Sequence, residues 1–165
     1  YLTHKVMAAK FPETEKFIRT YGSQVEQEIE TRLHNSGRVA SGKLYDSIRY
    51  EVKREKQDFI LSFKMADYGK YIDKGVRGAE KNRAGKSPYK FTTKMPPIKP
   101  IMKWMKLKGI DKSKAWAVRR SIYLFGITPT NFFTIPTTRR AKQFEQGYIK
   151  AMGRDLDNMI TDLNK

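Results

Sequence analysis

Between residues 13 and 65 the apolar residues change period, and that change decides what the chain can become. Ile18, Tyr21, Val25, Ile29 and Leu33 recur at spacings of 3, 4, 4 and 4, which puts them on one face of a helix over Glu13–Leu33. Glu13 and Glu15 suit its first turn, where the helix dipole favours negative charge, and Asn35-Ser36-Gly37 is a stop signal. The period then drops to two. Ile48, Tyr50 and Val52 alternate with Arg49, Glu51 and Lys53, and Phe59, Leu61, Phe63 and Met65 repeat the pattern. The polar connector Arg54–Asp58 makes the two runs a hairpin. A hairpin with one apolar face must be covered, and the first helix is the nearest cover.

Further along, Tyr68, Tyr71 and Ile72 stand at helical or turn spacing, and Gly75 ends that segment. Residues 76–97 have no period and are predicted to form a long loop or an extended, irregular hairpin. Ile98, Ile101, Met102 and Met105 form a stripe opposite Lys99, Lys103 and Lys106, predicting a short helix that Gly109 stops. Asp111 or Ser113 caps a second short helix with the stripe Ala115, Val118, Ile122 and Phe125, closed by Gly126. "ITPTNFFTIP" is expected to be extended. Thr137 or Thr138 then opens a long C-terminal helix with Phe144, Tyr148, Met152, Leu156, Met159 and Leu163 on one side, weakened at Gly147 and Gly153. The expected fold class is α+β: a small antiparallel sheet packed by a long N-terminal and a long C-terminal helix, in one domain over 1–165. Within it, 76–125 is a basic insertion of a loop and two short helices.

Charge singles out the insertion. The chain carries 34 Lys and Arg against 17 Asp and Glu, +17 net. Twelve of those bases lie between Arg77 and Lys114 against only Glu80 and Asp111, +10 net, whereas 12–36 has five Glu against Lys16, Arg19 and Arg32, −2 net. Such a field suits an anionic partner: nucleic acid, an acidic protein surface or anionic lipid. The contact candidates are Arg77, Lys81, Arg83, Lys86, Lys90 and Lys94. Basic residues interleave with Tyr89, Phe91 and Trp104, as single-strand binders do. On amphipathic helices, however, Trp104 and Trp116 read first as core or interface residues.

Several chemistries find no support. The chain has no cysteine, so disulfides, thiolate metal sites and cysteine nucleophiles are excluded. His4 and His34 are too few for a histidine-rich metal site, and His34 suits a helix end. "GKS" at 85–87 ends like a phosphate-binding loop, but that motif needs glycine at 80, where Glu80 stands, and Pro88 prevents a helix from opening there. Asp67, Asp73 and Glu80 are scattered rather than grouped for a Mg²⁺ nuclease. The expectation is no enzyme, no cofactor and no metal. No apolar run approaches a membrane span and no signal peptide is visible; opening on Tyr1 points to missing upstream residues.

Three blocks, in order, carry a resemblance. Gly42, Leu44, Ser47 and Ile48 lie in "ASGKLYDSIRYEV"; Tyr68, Tyr71, Ile72 and Gly75 in "ADYGKYIDKGVRG"; Pro129, Phe132, Phe133 and Pro136 in "GITPTNFFTIPTTRRA". Together they resemble the head–tail joining and tail-completion (neck) family of tailed bacteriophages, with Asp73 where glutamate is common. The family's second and third blocks usually lie closer together, so the segment from about Arg77 to Phe125 marks a divergent branch. The resemblance implies a virion structural protein, non-enzymatic, forming a six- or twelve-fold homo-oligomeric ring between portal and tail. Its partners would be portal, adaptor or tail-tube proteins, with contact to packaged DNA but no membrane. It would reside in the virion neck, and in the host cytoplasm during assembly. Loop 76–97 would contact an adjacent subunit or another neck protein and order on assembly. The alternative is a non-specific DNA-binding protein using 77–114.

Overall fold

The computed structural model describes residues 11–38, 42–55 and 58–164; His4 and the centre of the hairpin connector lie outside them. It shows an α+β fold. Helix α1 (Pro12–Asn35) leads through a 3-10 turn (Tyr45–Ser47) into the antiparallel hairpin β1 (Arg49–Glu55) and β2 (Asp58–Lys64). Helix α2 (Gly69–Lys74) and strand β3 (Val76–Arg77) follow, then α3 (Ile98–Leu107), α4 (Ala115–Phe125) and strand β4 (Gly126–Ile127). Helices α5 (Thr134–Arg139) and α6 (Ala141–Leu163) complete the chain.

The period change builds the main core. Ile18, Tyr21, Val25, Ile29 and Leu33 are all buried, each contributing about 1.5–3 kcal/mol relative to exposure. They join Leu44, Ile48 and Phe132, with Leu61, Phe63 and Met65 of the hairpin packed alongside. The register sets Tyr50 opposite Phe63 and Val52 opposite Leu61. Tyr50 lies so close to Gly22 that a Cβ there would fall 2.5 Å from its ring.

The segment between α2 and α5 is an excursion with a closed base. It leaves along β3 and returns along β4, where Val76 pairs with Ile127 and Arg77 with Gly126. A second core lies inside it: Ile101, Met105 and Ala115 are buried, with Ile98, Met102, Ile110, Val118 and Ile122 around them. The predicted stripes of α3 and α4 therefore face each other. Asp111 caps the intervening 3-10 turn by accepting from the Ser113 N–H at 2.9 Å.

Three expectations are corrected. "ITPTNFFTIP" is not extended throughout: after β4 it turns, and its end belongs to α5. Thr137 and Thr138 do not open α6; they lie inside α5, and their hydroxyls donate back to the Phe133 and Thr134 carbonyls. Helix α6 lies chiefly along α1, and its buried stripe runs through Ala151 and Asp155, leaving Leu156 and Leu163 exposed. Gly147 is the contact point there: the Phe17 ring sits where its Cβ would be. The helix gives up propensity at that glycine so that an aromatic ring can pack against its backbone.

Candidate interaction surface

Two buried carboxylates, Asp73 of the second block and Asp155, which the sequence did not single out, fix the geometry. Helix α1 has no capping side chain of its own, because Phe11 occupies the cap position ahead of Pro12. The acceptor comes instead from α6. Asp155, 1% exposed, accepts from the Glu13 N–H at 2.9 Å, the Thr14 N–H at 2.8 Å and the Thr14 hydroxyl at 2.7 Å. Burial pushes its carboxyl up, but the Thr14 hydroxyl and the two backbone N–H groups outweigh this and hold it below the usual value. Asp73 supplies the acceptor for the start of α5. It is 1% exposed and accepts from the Phe133 N–H at 2.8 Å, the Thr134 N–H at 3.1 Å and the Thr134 hydroxyl.

These contacts explain the three blocks. In the first, Leu44 and Ile48 enter the core, and the Ser47 hydroxyl links the Leu44 carbonyl to the N–H of Ala66, which opens the second block. The second block meets the third along its backbone: the Thr130 N–H and hydroxyl donate to the Ile72 carbonyl, and the Asn131 N–H donates to the Asp73 carbonyl. Gly75, at φ 69°, passes so close to Ile127 that a side chain would strike its carbonyl. Phe132 and Pro136 are buried, Phe133 packs against the core, and Gly42 turns at φ 72°. Tyr68 and Tyr71 are exposed, Tyr71 edge-on to Tyr89.

A further anchor ties the C-terminal region to α1. Glu28 accepts from Arg139 at 2.7 Å, Arg140 at 2.8 Å and Arg32 at 3.2 Å. Burial raises its pKa, and the three arginines more than reverse that, leaving it below the usual glutamate value.

The basic segment is pinned rather than free. The Arg77 N–H donates to the Tyr89 carbonyl, the Phe91 N–H to the Arg77 carbonyl, and the Ala79, Glu80 and Lys81 N–H groups to the carbonyls of Tyr123 and Leu124. Ser87, the residue that mimicked a phosphate-binding loop, is buried and donates to the Gly75 carbonyl at 2.7 Å. A segment expected to order on assembly is thus already folded within the protomer.

The six candidate cations fall into three groups. Arg77 is half-buried, with its Nε unpartnered among the described residues. Lys81 and Arg83 are exposed but lie over the Phe125 ring, 5.4 and 4.6 Å from its centroid. Lys86, Lys90 and Lys94 point to solvent, and no base from Arg77 to Lys114 forms an ion pair among the described residues. The field is unneutralised.

The tryptophans are corrected as core residues. Trp104 is 38% and Trp116 64% exposed, beside Leu107 at 51%. Their stripes are amphipathic, but they stand outside the buried arc. Tyr89 and Phe91 are half-buried, Phe91 beside Tyr123. Among the described residues, no helix is long and apolar enough to cross a membrane. No family model, curated protein or solved structure matches this chain.

Proposed function

We propose that this chain is a structural protein of a tailed-bacteriophage neck, a head–tail joining or tail-completion component that works by assembling into a ring. The carrying observation is that the three blocks behind the resemblance converge on one junction. Leu44, Ile48 and Phe132 share a core, and Asp73 of the second block caps the helix of the third. Residues far apart in the chain thus act as one folding unit, as expected if the blocks define a common protomer. The basic stretch 77–114 of the excursion, +10 net, supplies a cationic docking surface for an acidic neighbour. Particle imaging and native mass spectrometry provide the test. The expected result is a closed ring and presence of the chain in purified virions. A chain that stays monomeric and is absent from virions overturns the proposal.

A second reading is favoured by the unpaired bases: non-specific DNA contact through Lys86, Lys90 and Lys94. Duplex affinity should then fall steeply with salt, with a log–log slope of about −0.9 per phosphate contacted. No binding at low salt removes it.

A further inference from the structure

Arg77 stands at the base of the excursion, and the protomer does not answer its charge. On one side β3 pairs with β4, where Arg77 faces Gly126, a residue with no side chain to offer. On the other side the Arg77 N–H donates to the Tyr89 carbonyl at 2.8 Å, and the Phe91 N–H donates to the Arg77 carbonyl at 2.9 Å. These two bonds make a parallel bridge between Arg77 and Lys90. Side chains alternate along extended backbone. Lys90 therefore stands beside Arg77 on one face, while Val76, Tyr89 and Phe91 turn to the other. Val76 is buried there, Tyr89 meets Tyr71, and Phe91 meets Tyr123.

Two cations thus share a face. Arg77 is half-buried, and its Nε, shut off from water, has no acceptor among the described residues. Glu80, the acid nearest to it in the chain, and Lys90 are both exposed, and neither forms an ion pair among the described residues. A partly buried charge is screened less than an exposed one, so Arg77 attracts an anion more strongly than the exposed lysines around it.

We infer that Arg77 and Lys90 together clamp one backbone phosphate of a nucleic acid. This rests on the DNA reading above and adds a fixed contact to it. Backbone hydrogen bonds on both sides hold Arg77 in place, whereas Lys86 and Lys94 contribute charge alone. A guanidinium offers parallel N–H donors to two phosphate oxygens, and the ammonium supplies a further donor. The occupant must also answer Lys86 and Lys94, exposed four residues to either side of Lys90. A polymer with a negative charge at every step does so without a matched protein surface.

Fluorescence anisotropy with a short labelled duplex and the full-length chain provides the test. Arg77→Lys keeps the charge and removes the fork, so affinity should fall about tenfold. Lys90→Gln should weaken binding about threefold more than Lys94→Gln, and the Arg77→Lys/Lys90→Gln chain should lose less than the product of its two single losses, because both residues act on one phosphate. Lys90 is exposed, so its variant decides the matter even where Arg77→Lys does not fold. Wild-type affinity in Arg77→Lys, or equal losses in Lys90→Gln and Lys94→Gln, overturns the clamp and leaves the DNA reading standing. No duplex binding by the wild-type chain at low salt removes both. Displacement of the duplex by polyglutamate, or by millimolar inorganic phosphate at matched ionic strength, as readily as by unlabelled duplex assigns the site to an acidic protein or a free anion and overturns the inference.

Discussion

Replacing Asp155 by alanine should destabilise the fold more than any other single polar substitution on α6. The carboxylate takes up two orphan N–H groups at the start of α1 and the Thr14 hydroxyl, all in a buried setting. Losing a helix cap costs about 0.5–2 kcal/mol, and a hydrogen bond to a charged group contributes about 1.5–3 kcal/mol. The three bonds share one acceptor and are not additive, so about 2–4 kcal/mol is expected. For a chain of this size that lowers Tm by about 4–16 °C. Asp155→Asn should cost less, because asparagine retains one acceptor oxygen. The pH dependence has a definite sign. The folded-state pKa lies below the ordinary aspartate value. The ionised group's stabilisation is therefore fully present above about pH 4, and is lost as pH falls through the lower folded value. Urea titrations of wild type and Asp155→Ala from pH 7 to pH 2 should show a constant gap in ΔG down to about pH 5, shrinking below about pH 4. A gap under about 0.5 kcal/mol at pH 7, or one that does not change in acid, refutes the cap.

Other perturbations probe the remaining joints. Gly147→Ala raises helix propensity by about 1 kcal/mol yet should destabilise by about 1–3 kcal/mol, because the new Cβ meets Phe17 at 2.3 Å; thermal melting decides the sign. Asp73→Ala should destabilise by about 2–4 kcal/mol through loss of the α5 cap and its tie to α2, as read by urea midpoint. Glu28→Gln should cost about 1–2 kcal/mol in the same assay by releasing Arg139 and Arg140. Lys86, Lys90 and Lys94 changed together to Ala should flatten the salt slope of any duplex binding by about 2–3, with Tm unchanged.

The legible part of the fold was whatever repeats locally. The stripe on α1, the alternation of β1 and β2, and the facing stripes of α3 and α4 depend on spacing within one element, and each recurs in the structure. What escaped depends on partners far apart in sequence. Asp155 is 141 positions from Thr14, and Asp73 is 60 from Phe133. An isolated aspartate resembles any solvated charge until its partner is known. A trace existed in the missing half of each contact: α1 opens at Phe11-Pro12 without a cap residue, so its N–H groups needed an acceptor from elsewhere. The α6 stripe failed for a related reason. Phe144 and Tyr148 fit two continuations, one through Met152 and Leu156, the other through Ala151 and Asp155. Hydrophobicity selects the first. The structure takes the second, because a small residue lets α1 approach and the aspartate satisfies its terminus. The apolar residues displaced from that stripe, Leu156 and Leu163 among them, stay on the surface.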